Sequence, residues 1–109
     1  MTTISPDGQY VTAINTFAVD PSNQQAVIRL LTSAVDLLAK TQPGFISATI
    51  HKSADGKKVL NYVQWRTGQD FKSVFSNAEF MRIYADIRAI AQPEPLIYEV
   101  VFSVVGTVN

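Results

Sequence analysis

The sequence of 109 residues contains no cysteine and a single histidine. Without cysteine the chain cannot form a disulfide framework, a Cys-ligated zinc site, an iron–sulfur cluster or a thiol nucleophile. Nine basic and nine acidic side chains cancel, so no net charge attracts nucleic acid or an anionic membrane. No stretch approaches the roughly 20 apolar residues that cross a bilayer, and the first residues lack a signal-peptide pattern. We therefore expect a cytoplasmic protein with no nucleic-acid and no membrane partner.

Recognisable catalytic motifs are also missing. The sequence has no Ser/His/Asp set, no phosphate-binding glycine loop, no carboxylate pair and no metal-ligand spacing. The single histidine, His51, is near the end of a predicted strand without an acidic neighbour on that strand. The sequence therefore argues against a hydrolase, a kinase or a dinucleotide-dependent enzyme, and it predicts no metal site.

What the sequence does contain is a regular succession of strand and helix patterns over residues 10–106, which we predict to be one domain. Residues 1–9 are polar and are predicted to be disordered. The alternating apolar and β-branched residues of Tyr10–Val19 predict a strand. Asp20 and Pro21 then have the side chains that favour a helix start. An apolar stripe at helical spacing follows them, and residues 42–44 are predicted to end this helix.

The second half of the chain is predicted to add a hairpin, two helical segments and a last strand. Phe45–Lys52 and Val59–Trp65 are predicted as antiparallel strands around an Asp-Gly turn. Thr67 and Ser76 each begin a capping-box pattern, which predicts a short helix and then a longer one. The proline-rich residues 92–95 are predicted to end the longer helix, and Leu96–Val105 is predicted as the last strand.

This β-α-β-β-α-β order predicts an α+β, ferredoxin-like fold with a four-stranded antiparallel sheet and both helices on one face. The predicted last strand is apolar on both faces, with Tyr98 and Phe102 on one and Ile97 and Val101 on the other. A second layer is needed to cover the outer face. We therefore predict a homodimer that packs sheet face on sheet face; the alternative is that these side chains are partly exposed.

Three polar side chains are predicted to face the apolar interior. Asn61 and Trp65 are four residues apart, so strand alternation puts them on one face, and Asn15 is in a similar apolar setting on the first strand. Burying an unpaired amide costs about 1–3 kcal/mol, so each amide should have a partner or a ligand. Two amides and an indole N–H would orient a polar aromatic ligand. The alternative is that the amides bond neighbouring groups and that Trp65 is plain core.

Tyr84 shares the inward stripe of the last helix with Phe80. Its hydroxyl could reach a cavity between helix and sheet, or it could emerge at the rim as in an ordinary core tyrosine.

The order and spacing of several short motifs resemble the antibiotic biosynthesis monooxygenase (ABM) domain family. The motifs are Pro43-Gly44-Phe45, His51-x-Ser53-x-Asp55-Gly56, Val59-x-Asn61-Tyr62-x-Gln64-Trp65 and Tyr98-Glu99-Val100. The resemblance runs from about Val11 to Val105. It implies a ferredoxin-like, dimeric α+β barrel, in agreement with the fold and the dimer expected from the strand patterns.

Within this family the sequence looks like the cofactor-free anthrone monooxygenases of aromatic polyketide pathways. That likeness implies oxidation of a phenolic polycyclic aromatic (anthrone-like) or quinol substrate by molecular oxygen, with no cofactor. It implies catalytic roles for Asn61 and Trp65, which would hold the substrate oxygens. Phe71 stands where those enzymes have a tyrosine, and Ala85 is near the place of their helix arginine. Tyr84 is the conjectured catalytic replacement, and the predicted substrate-binding residues are Asn15, Phe71, Phe75 and Phe80.

Two alternatives stay open beside this function. The replaced tyrosine and arginine favour a non-catalytic homodimeric module that binds a small aromatic metabolite. A haem-degrading branch of the superfamily also has an asparagine at the place of Asn15, but Val74 and Tyr84 stand where that branch has its tryptophan and its histidine. Without the axial histidine the iron bond is lost, which argues against haem.

Overall fold

A computed structural model describes residues 10–107, so the predicted disorder of residues 1–9 lies outside the described range. The strands and helices follow the predicted order, with two short 3₁₀ turns added at Pro21–Asn23 and Ser73–Ser76. The elements are β1 (Val11–Val19), α1 (Gln24–Thr41), β2 (Phe45–Lys52), β3 (Lys58–Trp65), α2 (Gly68–Lys72), α3 (Ala78–Arg88) and β4 (Ala91–Tyr98).

The four strands form one antiparallel sheet in the order β2-β3-β1-β4. Helices α1 and α3 pack against each other, and the apolar core lies between the helices and the sheet. This confirms the predicted α+β, ferredoxin-like fold. The register pairs Asn15 of β1 with Asn61 of β3 and Phe17 with Val59, so these side chains share the face that the helices cover.

Local signals explain the first half of the chain. Asp20 caps the first helical turn, because its carboxylate accepts a hydrogen bond from the Ser22 amide at 3.0 Å, and Pro21 follows it as predicted. The buried stripe of α1 begins at Val27 and ends at Leu38. Between β2 and β3, Gly56 has a φ of 80°, a conformation that glycine adopts without steric cost. The predicted hairpin turn is therefore present.

The prediction for the end of the chain was wrong. Helix α3 ends at Arg88, and residues 92–95 do not terminate it but lie inside β4, which spans Ala91–Tyr98 instead of Leu96–Val105. Prolines fit there because β4 lies at the edge of the described sheet, where its pairing is with β1 alone. Residues 99–107 form no strand. The expected strand with two apolar faces is therefore replaced by a short edge strand and an irregular segment.

The start of α3 was also predicted one residue too early. Thr67 caps α2 as expected, since its hydroxyl accepts a hydrogen bond from the Asp70 amide. Ser76, however, belongs to the preceding 3₁₀ turn, and the cap of α3 is Asn77, whose Oδ1 accepts from the Phe80 amide at 2.9 Å. Serine and asparagine are about equally good caps, so the preceding turn decided which of the two neighbours was used.

Candidate functional site

A cavity lies between the sheet and the helices, and its walls come from both groups of core residues. The cavity has a volume of about 70 Å³, counted as the space that the centre of a water molecule can occupy. One buried water needs about 10–15 Å³ by this measure, so the cavity has room for a larger molecule. All of the predicted site residues line it: Asn15, Asn61, Trp65, Phe71, Phe75, Phe80 and Tyr84. Their roles in binding and catalysis stay predictions.

The carboxamide of Asn15 has partners inside the chain. Its Oδ1 accepts a hydrogen bond from the backbone N–H of Glu94 at 3.0 Å, and its Nδ2 donates to the hydroxyl of Tyr84 at 3.2 Å. Asn15 therefore links β1 to the edge strand β4 and to helix α3. For this amide the structure supports the bonding to neighbouring groups that the sequence left open as an alternative.

Asn61 is the cross-strand partner of Asn15, but its side chain differs from that of Asn15 in hydrogen bonding. Its side chain lies on the cavity wall, and the residue is only 8% exposed. Its Oδ1 is buried and has no hydrogen-bond partner among residues 10–107. An unsatisfied buried acceptor costs about 1–3 kcal/mol. The Asn61 carbonyl oxygen is therefore a free acceptor at a place where a ligand could supply the donor.

Aromatic rings from β3 and from the segment that follows it form part of the cavity wall. Trp65 is 1% exposed and packs edge-on against Phe45 and Phe71, with ring centroids 5.6 and 6.2 Å apart. Phe71 packs edge-on against Phe75 at 5.5 Å. Because Phe75 lines the cavity and is nevertheless 48% exposed, it marks a side on which the cavity meets solvent.

Helix α3 supplies another part of the wall. Phe80 and Tyr84, one helical turn apart, stack with an interplanar angle of 16° and centroids 5.7 Å apart. Tyr84 also meets Phe17 edge-on at 6.5 Å. These contacts fix the plane of the Tyr84 ring, and the hydrogen bond from Asn15 fixes its hydroxyl oxygen.

Ionisable groups are scarce at the cavity. Tyr84 is the single ionisable side chain among the described residues that line it. Tyr84 also borders a second, outer pocket, which it shares with Asp20 and Arg88. Hydrogen bonds from the Ser22 hydroxyl and then from its backbone amide hold the pKa of Asp20 below its ordinary value. The cavity itself thus offers amide, indole and hydroxyl groups and no carboxylate or imidazole.

Two further findings bear on the predicted partners. Within residues 10–107, no group of three or more histidine, aspartate or glutamate side chains is placed to hold a metal ion. None of the helices in that range is long and apolar enough to cross a membrane.

The sequence prediction missed part of the cavity wall. Helix α1 contributes an apolar strip to it, and Pro95 of β4 lines it beside Asn15. The apolar stripe of α1 is recognisable in the sequence, but the predicted substrate-binding residues do not include it. Pro95 and the Glu94 amide were missed because the predicted last strand began at Leu96.

Comparisons with known proteins agree with this fold. Residues 10–86 match the antibiotic biosynthesis monooxygenase family. The tetracenomycin-F1 monooxygenase of Streptomyces glaucescens is 36% identical over 103 residues, which cover 94% of this chain and 92% of that protein. The protein therefore belongs to the antibiotic biosynthesis monooxygenase family, as the sequence motifs indicated.

Solved structures show the same fold. The monooxygenase ActVA-Orf6 of Streptomyces coelicolor, in complex with nanaomycin D, has a TM-score of 0.78 and 28% identity over 94% of this chain and 96% of that one. SnoaB, a cofactor-independent oxygenase of Streptomyces nogalater, has a TM-score of 0.69 and 22% identity over 91% and 96% of the two chains.

Proposed function

We propose that the protein is a cofactor-independent monooxygenase that oxidises a phenolic polycyclic aromatic, anthrone-like or quinol substrate with molecular oxygen. Family membership and the name of the tetracenomycin-F1 relative support the reaction class. The observation that carries the proposal is the unsatisfied carbonyl oxygen of Asn61 on the wall of an apolar, aromatic-lined cavity. A phenolic hydroxyl of a flat aromatic substrate would supply the missing donor.

The overall reaction of an anthrone-like substrate converts a ring CH₂ group and O₂ into a ring carbonyl and water. One oxygen atom enters the product, and the other leaves as water with the two hydrogens of the CH₂ group. The substrate first loses a proton, and its electron-rich anion then reduces oxygen. Because the cavity is apolar, hydrogen bonds inside it act in a low dielectric and stabilise developing charge more than they would in water.

Three side chains have distinct roles in this proposal. Asn61 accepts a hydrogen bond from the substrate hydroxyl and orients the ring. The Trp65 indole N–H stabilises negative charge on a substrate or peroxide oxygen. Tyr84 takes part in proton transfer, because it is the ionisable side chain of the described cavity wall. The aromatic rings of the substrate are bound by stacking and edge contacts with Phe71, Phe75 and Phe80. Asn15 contributes through its hydrogen bond to Tyr84.

Oxygen uptake with anthrone tests the proposal. We expect enzyme-dependent uptake above the autoxidation rate, reduced about tenfold or more in Asn61→Ala and in Trp65→Phe, since one hydrogen bond is worth about 1.4 kcal/mol. Trp65→Phe keeps an aromatic ring against Phe45 and Phe71 and removes the N–H, so it separates packing from hydrogen bonding. Equal rates for the wild type and both variants would contradict the assigned roles.

One observation favours a second candidate, a non-catalytic module that binds a small aromatic metabolite. The described cavity wall carries no carboxylate or imidazole that could act as a general base. Titrating anthrone against Trp65 fluorescence with and without air separates the two functions. Saturable binding that is unchanged by oxygen would indicate the binding module, whereas oxygen-dependent loss of the ligand would indicate the enzyme.

We also propose that the protein forms a homodimer. The irregular segment after β4 holds Val101 and Phe102, which are 91% and 78% exposed, and such apolar exposure indicates a contact surface. A second copy could cover these apolar residues.

A further inference from the structure

The hydrogen bonds of Asn15 fix the direction of its carboxamide. A backbone N–H can only donate, and that of Glu94 lies 3.0 Å from Asn15 Oδ1. The oxygen end of the amide is therefore held on the side of β4, and the nitrogen end faces Tyr84, whose hydroxyl oxygen is 3.2 Å away. The Nδ2 group has donors and no acceptor. The Tyr84 oxygen must therefore accept this bond, and its own O–H points elsewhere.

The position of Tyr84 shows on which side of the helix its O–H group can donate a hydrogen bond. The ring borders both the cavity and the outer pocket, whereas Asn15 lines the cavity and not the outer pocket. The hydroxyl end, which contacts Asn15, therefore lies on the cavity side. Among residues 10–107, the hydroxyl accepts from Asn15 and makes no hydrogen bond as a donor. Among the residues that line the cavity, Tyr84 thus has an unused donor and Asn61 has a buried, unused acceptor.

We infer that Asn15 is a positioning residue, which holds the Tyr84 hydroxyl so that its proton is donated to an acceptor oxygen of the ligand in this cavity. The inference rests on the proposed function, because it specifies the ligand of the same site. It assigns to that ligand two different oxygens on one aromatic frame: a carbonyl-type acceptor that faces Tyr84 and a hydroxyl donor that faces Asn61.

Anaerobic binding of two probes tests the inference without oxygen chemistry. Anthrone carries a carbonyl, and dihydroanthracene has the same three-ring frame without it; both are titrated against Trp65 fluorescence. We expect the wild type to prefer anthrone by about tenfold, the value of one hydrogen bond of about 1.4 kcal/mol. Tyr84→Phe should abolish the preference and leave dihydroanthracene affinity unchanged. Asn15→Leu should do the same, and the double variant should lose no more than either single variant.

Asn15→Asp keeps the shape of the side chain and the acceptor for Glu94, so it covers the case in which Asn15→Leu fails to fold. The new carboxyl group, when ionised, would accept the Tyr84 proton and turn it away from the ligand, whereas in its protonated form it could donate to Tyr84 as asparagine does. The preference for anthrone should therefore be lost at high pH and return at low pH in this variant. The wild type serves as the control, because the other ionisable groups near this site, Asp20, Arg88 and Glu94, are the same in both proteins.

The outcomes separate this inference from the proposed function. Additive losses in the double variant, or a preference for anthrone that survives Tyr84→Phe, would overturn the positioning role. That result would leave oxygen uptake by the wild type unaffected. A wild type that prefers anthrone anaerobically, with the predicted variant pattern, but consumes no oxygen would contradict the monooxygenase proposal and support the inference.

Discussion

Asn15 and Asn61 are direct cross-strand partners on one face of the sheet, and their carboxamides differ in hydrogen bonding. Asn15 bonds the Glu94 amide and the Tyr84 hydroxyl, whereas the carbonyl oxygen of Asn61 has no partner among the described residues. Asn15 thus supports the structure, and Asn61 is placed at a cost to stability. Such a cost is typical of a side chain kept for its function.

Leucine substitutions at these two positions should therefore change stability in opposite directions. Asn61→Leu removes an unsatisfied buried acceptor and should raise the free energy of unfolding by about 1 kcal/mol. Asn15→Leu leaves the Glu94 amide without its acceptor and should lower it by about 1–3 kcal/mol. Urea unfolding followed by Trp65 fluorescence measures both. Destabilisation by Asn61→Leu equal to that by Asn15→Leu would show that the Asn61 amide is also satisfied in solution.

The sequence predicted the site residues that follow from strand alternation, but not the contacts between residues far apart along the chain. Strand alternation has a period of two, so the apolar neighbours Val59 and Val63 were enough to place Asn61 and Trp65 on the helix-covered face. The partner of Asn15 could not be predicted this way, because the Glu94 amide is 79 residues away along the chain.

The boundaries of β4 were missed for a related reason. Pro93 and Pro95 indicate a helix stop in sequence, and they are compatible with a strand only at the edge of a sheet. Which strand lies at the edge is a property of the tertiary fold. The cap of α3 could not be predicted to the residue for a similar reason. Ser76 and Asn77 are both suitable caps, and the preceding turn selects Asn77.

Gly44→Ala should destabilise the protein. A Cβ at Gly44 would collide with the side chain of Asp70, which accepts hydrogen bonds from Thr67 Oγ1 at 2.9 Å and Arg66 Nε at 3.2 Å. We expect a loss of about 1–3 kcal/mol, as for other overpacked sites. Gly68→Ala is the control, because nothing lies within 4 Å of its Cβ position. A Gly44→Ala variant as stable as that control would rule out the close contact.

Acid should weaken the cap that Asp20 forms on the 3₁₀ turn before α1. Hydrogen bonds from Ser22 lower the pKa of Asp20 in the folded state, so the stabilisation is present above the unfolded pKa of about 3.9. It is lost as the pH falls through the lower folded value. Asp20→Asn should therefore flatten the decline of stability below about pH 4. Asp86→Asn, on the exposed side of α3, is the control; an equal effect of the two variants would contradict the Asp20 assignment.

Phe102→Ser should weaken self-association if the segment after β4 forms the dimer contact. Removing one large, exposed apolar side chain from an interface commonly costs more than 1 kcal/mol, so the dimer dissociation constant should rise about fivefold or more. Sedimentation velocity over a concentration series measures this. Ile46→Ser, at a 39% exposed residue of β2, is the control. A monomeric wild type would overturn the dimer proposal itself.

The source of the oxygen atom in the product tests the proposed monooxygenase reaction most directly. Anthrone is incubated with the enzyme under ¹⁸O₂ in ordinary water, and the quinone is analysed by mass spectrometry against an enzyme-free control. We expect enzyme-dependent quinone with one ¹⁸O atom in the new carbonyl, and little such product with Asn61→Ala. Quinone whose new oxygen comes from water, or formation no faster than in the control, would contradict it.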